Sequence, residues 1–343
     1  MPAAVPVLAV TMGDPAGIGP EVALAAICRS ARRRYQPILV GDADVFRATA
    51  RMLDLDVELV DVGAPPARRR LPILATTGVP ARYRRFGAPR AAPARAACGE
   101  AAYAAILGAV DLVQQGAAAA VVTAPISKQH VTAAGHDIPG HTELLADLAG
   151  GAAVRMMLAG PKLRVVLVTT HLALADVPGA LTTAGVDATI MITASALRSR
   201  FGCDRPRIAV TGLNPHAGEG GKFGDEEARL IAPAVRKAKR RGVDVVGPLA
   251  ADSLFAEAAS GGYDAVVCIY HDQGLGPFKL LHFADGVNVT LGLPFVRTSP
   301  DHGTAFDIAG RGLADPRSMA AALDLAARLV ADPSGRPRRL AKP

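Results

Sequence analysis

Short runs of aliphatic and β-branched residues alternate along the chain with longer alanine-rich stretches. The short runs predict strands at 7–11, 38–40, 57–62, 73–75, 119–123, 155–158, 165–169, 208–212, 243–246, 265–270 and 287–291. The longer stretches predict helices at about 20–33, 95–115, 141–149, 183–200, 225–241, 251–259 and 317–331. Strands that alternate with helices point to a parallel sheet in an α/β fold. Many of the strands are apolar throughout, as expected where helices cover both faces of the sheet. No internal repeat is visible. One long excursion, 63–97, breaks the rhythm with prolines, glycines and arginines, and the tail after Asp332 is expected to fray.

The chain has 343 residues, half of them hydrophobic, which is too long for one ordinary core, so two domains are expected. No apolar run is long enough to cross a bilayer; the longest, 101–110, is bracketed by Glu100 and Asp111 and suits a buried helix. The N-terminal MPAAVPVLAV has no basic region and leads straight into a strand, so no secretory signal is expected. Cys28, Cys98, Cys203 and Cys268 lie far apart without a CxxC pair. They read as reduced thiols of a cytoplasmic protein. The net charge of +7 gathers in two places: eight arginines without an acid within 66–97, and the basic run 236–241. The second run ends a predicted helix, where cations suit the helix dipole. Aromatic residues are 4% of the chain and Trp is absent, so no platform for stacking bases is evident. Neither nucleic acid nor membrane is an expected partner; a positive field would instead steer a small anionic substrate.

In open α/β sheets, ligands bind beyond the carboxyl ends of strands. His171 follows VVLVTT, His216 follows IAVTGLNP and His271 follows AVVCIY, so three predicted strands end in histidine-bearing loops. A single histidine there is usually structural. Three, with Asp252 and Asp272 nearby, suit a divalent-metal site of neutral imidazoles with positions left for substrate oxygens. Their wide spacing matches no local zinc motif. The loop 12–21, MGDPAGIGPE, joins a strand to a helix; Pro20 suits the first helical turn, and Gly17 and Gly19 allow a tight backbone. Such a loop can approach a phosphate or cofactor, or be only a tight turn. Val22 stands where the dinucleotide fingerprint needs its third glycine, and Phe223 where a P-loop needs Ser or Thr, so neither motif is present. TAPISK (123–128) puts Lys128 at the mouth of the sheet. In GHTE, Thr142 suits an N-cap and His141 stands beside it. Lys279 and Arg297 can bind phosphate or carboxylate, or serve as surface ion pairs. The stretch 263–310 collects His271, Asp272, Lys279, Asn288, Arg297, Asp301 and His302, more polar groups than a plain core would bury.

These motifs carry a resemblance. GDPAGIGPEV, TAPISK, GHTELLA, VTTHLAL, GLNPHAGEGGKFGDEE, GPLAADSLF, YHDQGLGPFK and GVNVTLGLPFVRTSPDHGTAFDIAG are similar to motifs of the 4-hydroxythreonine-4-phosphate dehydrogenase family of pyridoxal phosphate biosynthesis, across about residues 7–325. GDPAGIGPEV and DHGTAFDIAGRGLADP also resemble, more distantly, motifs of the isocitrate/isopropylmalate dehydrogenases. The resemblance implies the two-domain α/β fold of that superfamily. Residues 1–128 plus 288–343 would form a discontinuous cofactor-side domain and 129–287 an inserted metal and dimer domain, with the active site in a cleft between them.

The same resemblance implies NAD, or NADP, as cofactor, held by Asp14, Gly17, Gly19, His302, Gly303 and Asp307. Asp307 would accept from the adenosine ribose, which favours NAD, and His302 would lie near the adenine. One divalent metal (zinc, magnesium or cobalt) would be held by His171, His216 and His271, one of them from the partner subunit of a homodimer. His141, Thr142, Lys279, Asn288 and Arg297 would bind the phosphorylated substrate. The implied reaction oxidises 4-phosphooxy-L-threonine to the 3-oxo acid, which decarboxylates to 3-amino-2-oxopropyl phosphate. The general base is open among Asp252, Asp272, Lys279 and a metal-bound water. The rival reading within the fold is a dehydrogenase of D-threonate or D-erythronate 4-phosphate, or of an aromatic cis-diol. A non-catalytic metal- or phosphate-binding protein is the rival outside it, and the intact loop 301–310 speaks against that.

Overall fold

The computed structural model describes residues 5–30, 33–64 and 69–331. The tail expected to fray lies outside the described residues, as does part of the arginine-rich excursion. The chain forms two compact units: Met1–Ala152 together with Leu293–Ala331, and Ala153–Gly292. In chain order the first unit supplies β1 (Val7–Thr11), α1 (Gly19–Arg29), β2 (Gln36–Gly41), α2 (Ala43–Met52), β3 (Glu58–Asp61), β4 (Arg70–Ala75), α3 (Ala92–Gln114), β5 (Ala120–Val122), α4 (Lys128–Ala133) and α5 (His141–Leu148). The second supplies β6 (Arg155–Ala159), β7 (Arg164–Leu167), α6 (Val177–Ala180), α7 (Thr183–Ser199), β8 (Arg207–Thr211), α8 (Ala232–Arg240), β9 (Asp244–Leu249), α9 (Ala251–Ala259), β10 (Ala265–Cys268), α10 (His271–His282) and β11 (Val287–Leu291). The chain then returns to the first unit as β12 (Val296–Pro300) and α11 (Arg317–Ala331).

In the first unit the strands run β3-β4-β2-β1-β5-β12, each neighbouring pair parallel. β1 is central: Ala9 pairs with Ile38 on one side and Val121 on the other, and Leu8, Ala9 and Val10 are wholly buried. α3 is long and apolar enough, by length and composition alone, to cross a membrane. Its Ala101, Ala102, Ala105, Ile106 and Ala109 are instead buried, and it packs on β1, β2 and α4. Gly99 allows the close approach to α4, since a Cβ there would fall 1.9 Å from the His130 carbonyl oxygen.

That packing moves the first expected boundary. Residues 129–152 do not open the second domain, because α4 is locked onto α3 and the buried His130 ring pairs with Asp14 at 2.6 Å. Residues 288–292 move the other way, since β11 pairs antiparallel with β6 from Val287↔Ala159 to Leu291↔Arg155.

In the second unit the order is β11-β6-β7-β10-β8-β9. β7, β10, β8 and β9 are parallel, but β6 runs antiparallel to both β7 and β11, so the expected parallel sheet covers only part of this unit. The core gathers Leu158, Val165, Leu167, Val266, Cys268, Leu254 and Phe278. α10 was not expected, because Gly274, Gly276 and Pro277 interrupt its helical pattern. Gly274 lets it lie on the sheet: a Cβ there would meet Cys268 Sγ at 3.0 Å and Leu167 Cδ2 at 3.2 Å. On α8, part of the basic run is used internally. Lys237 and Arg241 reach the buried Asp187 of α7 at 2.8 and 3.1 Å.

Candidate active site

Arg297 is delivered by β12, in register with Val121 of β5, and is only 2% exposed. Its Nη2 and Nε donate to Thr123 Oγ1 at 2.6 and 3.2 Å. Burial lowers the guanidinium pKa to about 10, against the opposing pull of Glu143. Enclosing a cation costs several kcal/mol unless anions answer it, roughly. Such an arrangement is usually kept for a ligand's charge.

His141 is the first residue of α5, whose N-cap is Gly140 and not Thr142; Thr142 lies in the first helical turn. The His141 Nε2 is sealed from solvent and has no hydrogen-bond partner. Desolvation, then Arg297 and Lys128, push its pKa well below the usual value of 6.5, so the ring is neutral. Lys128 begins α4 behind the Ser127 cap, where Ser127 Oγ accepts from the His130 N–H at 3.3 Å. Gly140 brings these groups close together: a Cβ there would sit 3.0 Å from Glu143 Oε2 and 3.6 Å from Lys128 Nζ. Arg297, Lys128 and a neutral histidine, with one opposing carboxylate, make a receptor for an anion.

The loop 301–310 is held from below. Ile18 N–H donates to the Thr304 carbonyl at 2.9 Å, Gly310 N–H donates to Glu21 Oε1, and a Cβ at Gly17 would fall 2.9 Å from the Thr304 oxygen. Gly19 is needed in the same way, since a Cβ there would fall 2.5 Å from the Met12 carbonyl oxygen. These glycines thus serve loop-on-loop packing. Asp14, expected at a cofactor, is wholly buried; its carboxylate accepts from Ala16 N–H at 3.0 Å and meets His130. Burial raises the pKa of Glu21, whose Oε2 has no partner. Asp307 and Gly303 are exposed. His302 Nδ1 donates to the Gly303 carbonyl at 3.1 Å, leaving a buried, unpartnered Nε2. A preformed loop with an unpaired imidazole nitrogen and an exposed carboxylate fits an adenosine ligand.

In the second unit, His171 and His271 face each other with ring centroids 5.8 Å apart. A metal–nitrogen bond of about 2.0–2.1 Å puts a ring centroid roughly 3.2 Å from the ion, so two ligands on one ion lie roughly 5–6 Å apart. The pair fits a shared cation. His271 Nδ1 donates to Asp272 Oδ1 at 2.7 Å, which fixes the tautomer and turns the Nε2 lone pair outward. His216 stands apart, its Nδ1 3.8 Å from Asp252 Oδ2, and exposes 62% of its side chain. Among the described residues no three His, Cys, Asp or Glu side chains are grouped to hold a metal.

His216 sits on an unusual backbone. From His216 to Gly220 five consecutive residues are left-handed, with φ of 52, 52, 83, 43 and 68°. Three of them carry side chains, and left-handed helix costs an L-residue roughly 1–2 kcal/mol. Strain of this kind persists only where neighbouring structure enforces it, and it clusters at functional sites. On β11, Asn288 has a buried Oδ1 without a partner, and Lys279 is half-buried on α10.

A family model described as pyridoxal phosphate biosynthetic protein PdxA matches residues 33–326. The chain belongs to this family. A relative from Geobacter metallireducens named 4-hydroxythreonine-4-phosphate dehydrogenase is 50% identical over 335 residues, covering 96% of this chain and 97% of that one. The crystal structure of 4-hydroxythreonine-4-phosphate dehydrogenase from Klebsiella pneumoniae superposes with a TM-score of 0.85 at 41% identity, covering 96% and 99% of the two chains. The terephthalate 1,2-cis-dihydrodiol dehydrogenase of Burkholderia xenovorans shares the fold at 32% identity and a TM-score of 0.65, over 94% and 98%. As a member of the PdxA family the chain is an enzyme, and an oxidoreductase. The sequence reading noted Lys128 but did not join it to His141, and it passed over Thr123, Glu143 and Glu21, which lie around Arg297 and the loop 301–310. The lysine at a strand end was a usable signal; the carboxylates gave none.

Proposed function

We propose that the chain oxidises 4-phosphooxy-L-threonine at C3 to the 3-oxo acid, which loses carbon dioxide to give 3-amino-2-oxopropyl phosphate, in the cytoplasm. The observation that carries the substrate class is the buried Arg297 beside a neutral His141 with an unpartnered nitrogen. A permanent cation in that position calls for a permanent anion, and a phosphate monoester supplies one. Arg297, His141, Thr142 and Lys128 would hold the phosphate. Lys279 would face the carboxylate, and the Asn288 oxygen would accept from the substrate's hydroxyl or ammonium group. The divalent ion, zinc, magnesium or cobalt, would acidify the C3 hydroxyl, and NAD, or NADP, would take the hydride.

His171 and His271 would hold the ion from one chain and His216 from a second copy, which makes the enzyme a homodimer. Leu172, Leu174, Leu280, Leu281 and Phe283, all exposed in the second unit, support a covered surface there. Asp272 and Asp252 stand beside His271 and His216, where they would orient imidazoles. Of the three side-chain candidates for moving a proton, Lys279 remains, alongside a metal-bound water. His302, Gly303 and Asp307 would hold the adenosine, with Asp307 favouring NAD, while Asp14, Gly17 and Gly19 would shape the loop beneath.

The test is a substrate panel followed by NADH absorbance, with enzyme stripped of metal and then resupplied. 4-Phosphooxy-L-threonine should turn over far better than D-threonate 4-phosphate, D-erythronate 4-phosphate or an aromatic cis-diol. Preference for any of those would refute the assignment.

A further inference from the structure

We propose that Glu227 is the positioning residue for His216: a buried carboxylate around which the left-handed turn carrying that histidine is built. The inference rests on reading His216 as a metal ligand. Glu227 opens a π-helical turn (Glu227–Ile231) ahead of α8 and is 6% exposed. Its Oε1 accepts from the N–H groups of Leu213 and Asn214 at 2.8 and 2.7 Å, and its Oε2 from Asn214 Nδ2 at 3.0 Å. The same amide nitrogen donates to Glu226 at 2.7 Å. The carboxylate also lies against the turn itself. A Cβ at Gly218 would stand 2.8 Å from its Oε2, and one at Gly212 would stand 3.0 Å from its Oε1. At Gly224, where the turn ends, a Cβ would collide with Asn214 Nδ2 and Glu226 Oε2 at 2.5 Å.

Backbone bonds across the turn are long by comparison: Ala217 to Asn214 at 3.1 Å, Phe223 to Gly218 at 3.2 Å and Lys222 to Glu219 at 3.4 Å. Five left-handed residues with so few backbone bonds of their own need a constraint from neighbouring structure. The charge-assisted bonds to Glu227 supply that constraint, since losing the acceptor would leave the part-buried donors of Leu213 and Asn214 unpaired. The direction in which His216 is presented, and its meeting with Asp252, therefore follow from a residue that never touches the ligand. The sequence shows it only as the last letter of GEGGKFGDEE.

The measurement is a calorimetric titration of the metal-stripped full chain with Zn²⁺, for wild type, Glu227→Gln, Glu227→Ala, His216→Ala and the Glu227→Ala/His216→Ala double variant. Asp187→Asn, which loosens the α7–α8 clamp, is the control for a purely structural loss. Glu227→Ala should weaken Zn²⁺ binding about 10–100-fold, the range seen when a supporting partner of a metal ligand is removed. Glu227→Gln should recover part of it, because its carbonyl oxygen can still accept from Leu213 and Asn214. The double variant should bind no more weakly than His216→Ala alone, since both changes remove one interaction. Asp187→Asn should lower Tm but leave Zn²⁺ affinity within about twofold. Trypsin cleavage after Lys222 should accelerate in Glu227→Ala while global unfolding is unchanged.

A folded Glu227→Ala with wild-type Zn²⁺ affinity, beside a His216→Ala that has lost it, overturns the positioning role; so does full additivity of the two effects. Wild-type affinity in His216→Ala itself overturns the ligand reading and the positioning role with it. Should Glu227→Ala not fold, Glu227→Gln carries the same comparison.

Discussion

Arg297 in the first unit is 2% exposed and answered by Thr123, whereas His216 in the second exposes 62% of its side chain and stands 3.8 Å from an exposed aspartate. Arg297, Lys128 and His141 all lie within the first unit. His171 and His216 are exposed, and among the described residues no three His, Cys, Asp or Glu side chains are grouped to hold a metal. A buried cation is costly and must be preorganised during folding, so it suits a group that stays anionic across the physiological range, such as a phosphate. Exposed imidazoles cost little in the free chain and can be completed from outside. The contrast separates a cation that folding encloses from imidazoles that folding leaves at the surface.

The most severe test of the open half is removal of the ion. Chelation should abolish NADH formation and readdition of Zn²⁺ or Co²⁺ should restore it; His271→Ala should be inactive with or without metal. The variant should keep nearly all its stability, because a half-exposed surface histidine contributes within about 0.5 kcal/mol. If His216 is supplied by a second copy, mixing inactive His216→Ala and His271→Ala proteins should restore activity. Random exchange makes half of the dimers mixed, with one intact site in two, so about a quarter of wild-type activity is expected. No recovery after verified subunit exchange would place all three ligands in one chain and break the comparison.

Arg297→Met tests the closed half. It removes a buried charge at similar volume, so stability should hold or rise, while kcat/KM should fall at least ~10²-fold through loss of a buried ionic contact. Unfolding in denaturant and steady-state kinetics on the same preparation separate the two. A large loss of stability with little loss of kcat/KM would make Arg297 a structural ion.

Much of this was readable before any coordinates. The rule that ligands gather beyond strand ends singled out His171, His216 and His271, because the strands before them carry the apolar runs VVL, IAV and AVVC. β12 was missed because its VRTSP is polar by letter, although all five residues are buried. Its Arg and Thr side chains are held by bonds to Thr123 and Ala322, partners that local composition does not reveal. α10 was missed for the opposite reason. Gly274 and Pro277 read as breakers, yet Gly274 is what allows the helix to sit on Cys268 and Leu167. The left-handed turn was hinted at by the glycines of PHAGEGG, but its cause, Glu227, lies eleven residues after His216 and bonds backbone rather than a partner side chain of obvious kind.

Asp272→Asn should have a smaller effect than loss of the histidine. The neutral amide oxygen accepts from the Nδ1–H of His271 without the carboxylate's charge, so metal affinity should fall by up to about 10–100-fold with the fold intact. The readout is Zn²⁺ affinity at fixed pH, with excess metal restoring turnover. Rescue by metal would separate an orienting aspartate from a proton carrier, whose loss excess metal cannot repair. Unrescued loss would return Asp272 to the list of proton carriers.

The smallest effect concerns His141, and it is one of pH. Its folded-state pKa lies well below 6.5, pushed down by desolvation, Arg297 and Lys128. As pH falls through about 6.5 the unfolded chain binds a proton that the folded chain refuses. The unfolded state then gains, so stability contributed by the neutral ring is present above about 6.5 and lost below it, with a slope of at most about 1.4 kcal/mol per pH unit. His141→Asn removes the titrating group and should flatten that part of the profile when unfolding is measured in urea from pH 5.5 to 7.5, roughly the window below and above the unfolded pKa. An unchanged slope would mean the ring is protonated in the folded chain, and a charged His141 beside Arg297 would make the closed half far more cationic than its geometry implies.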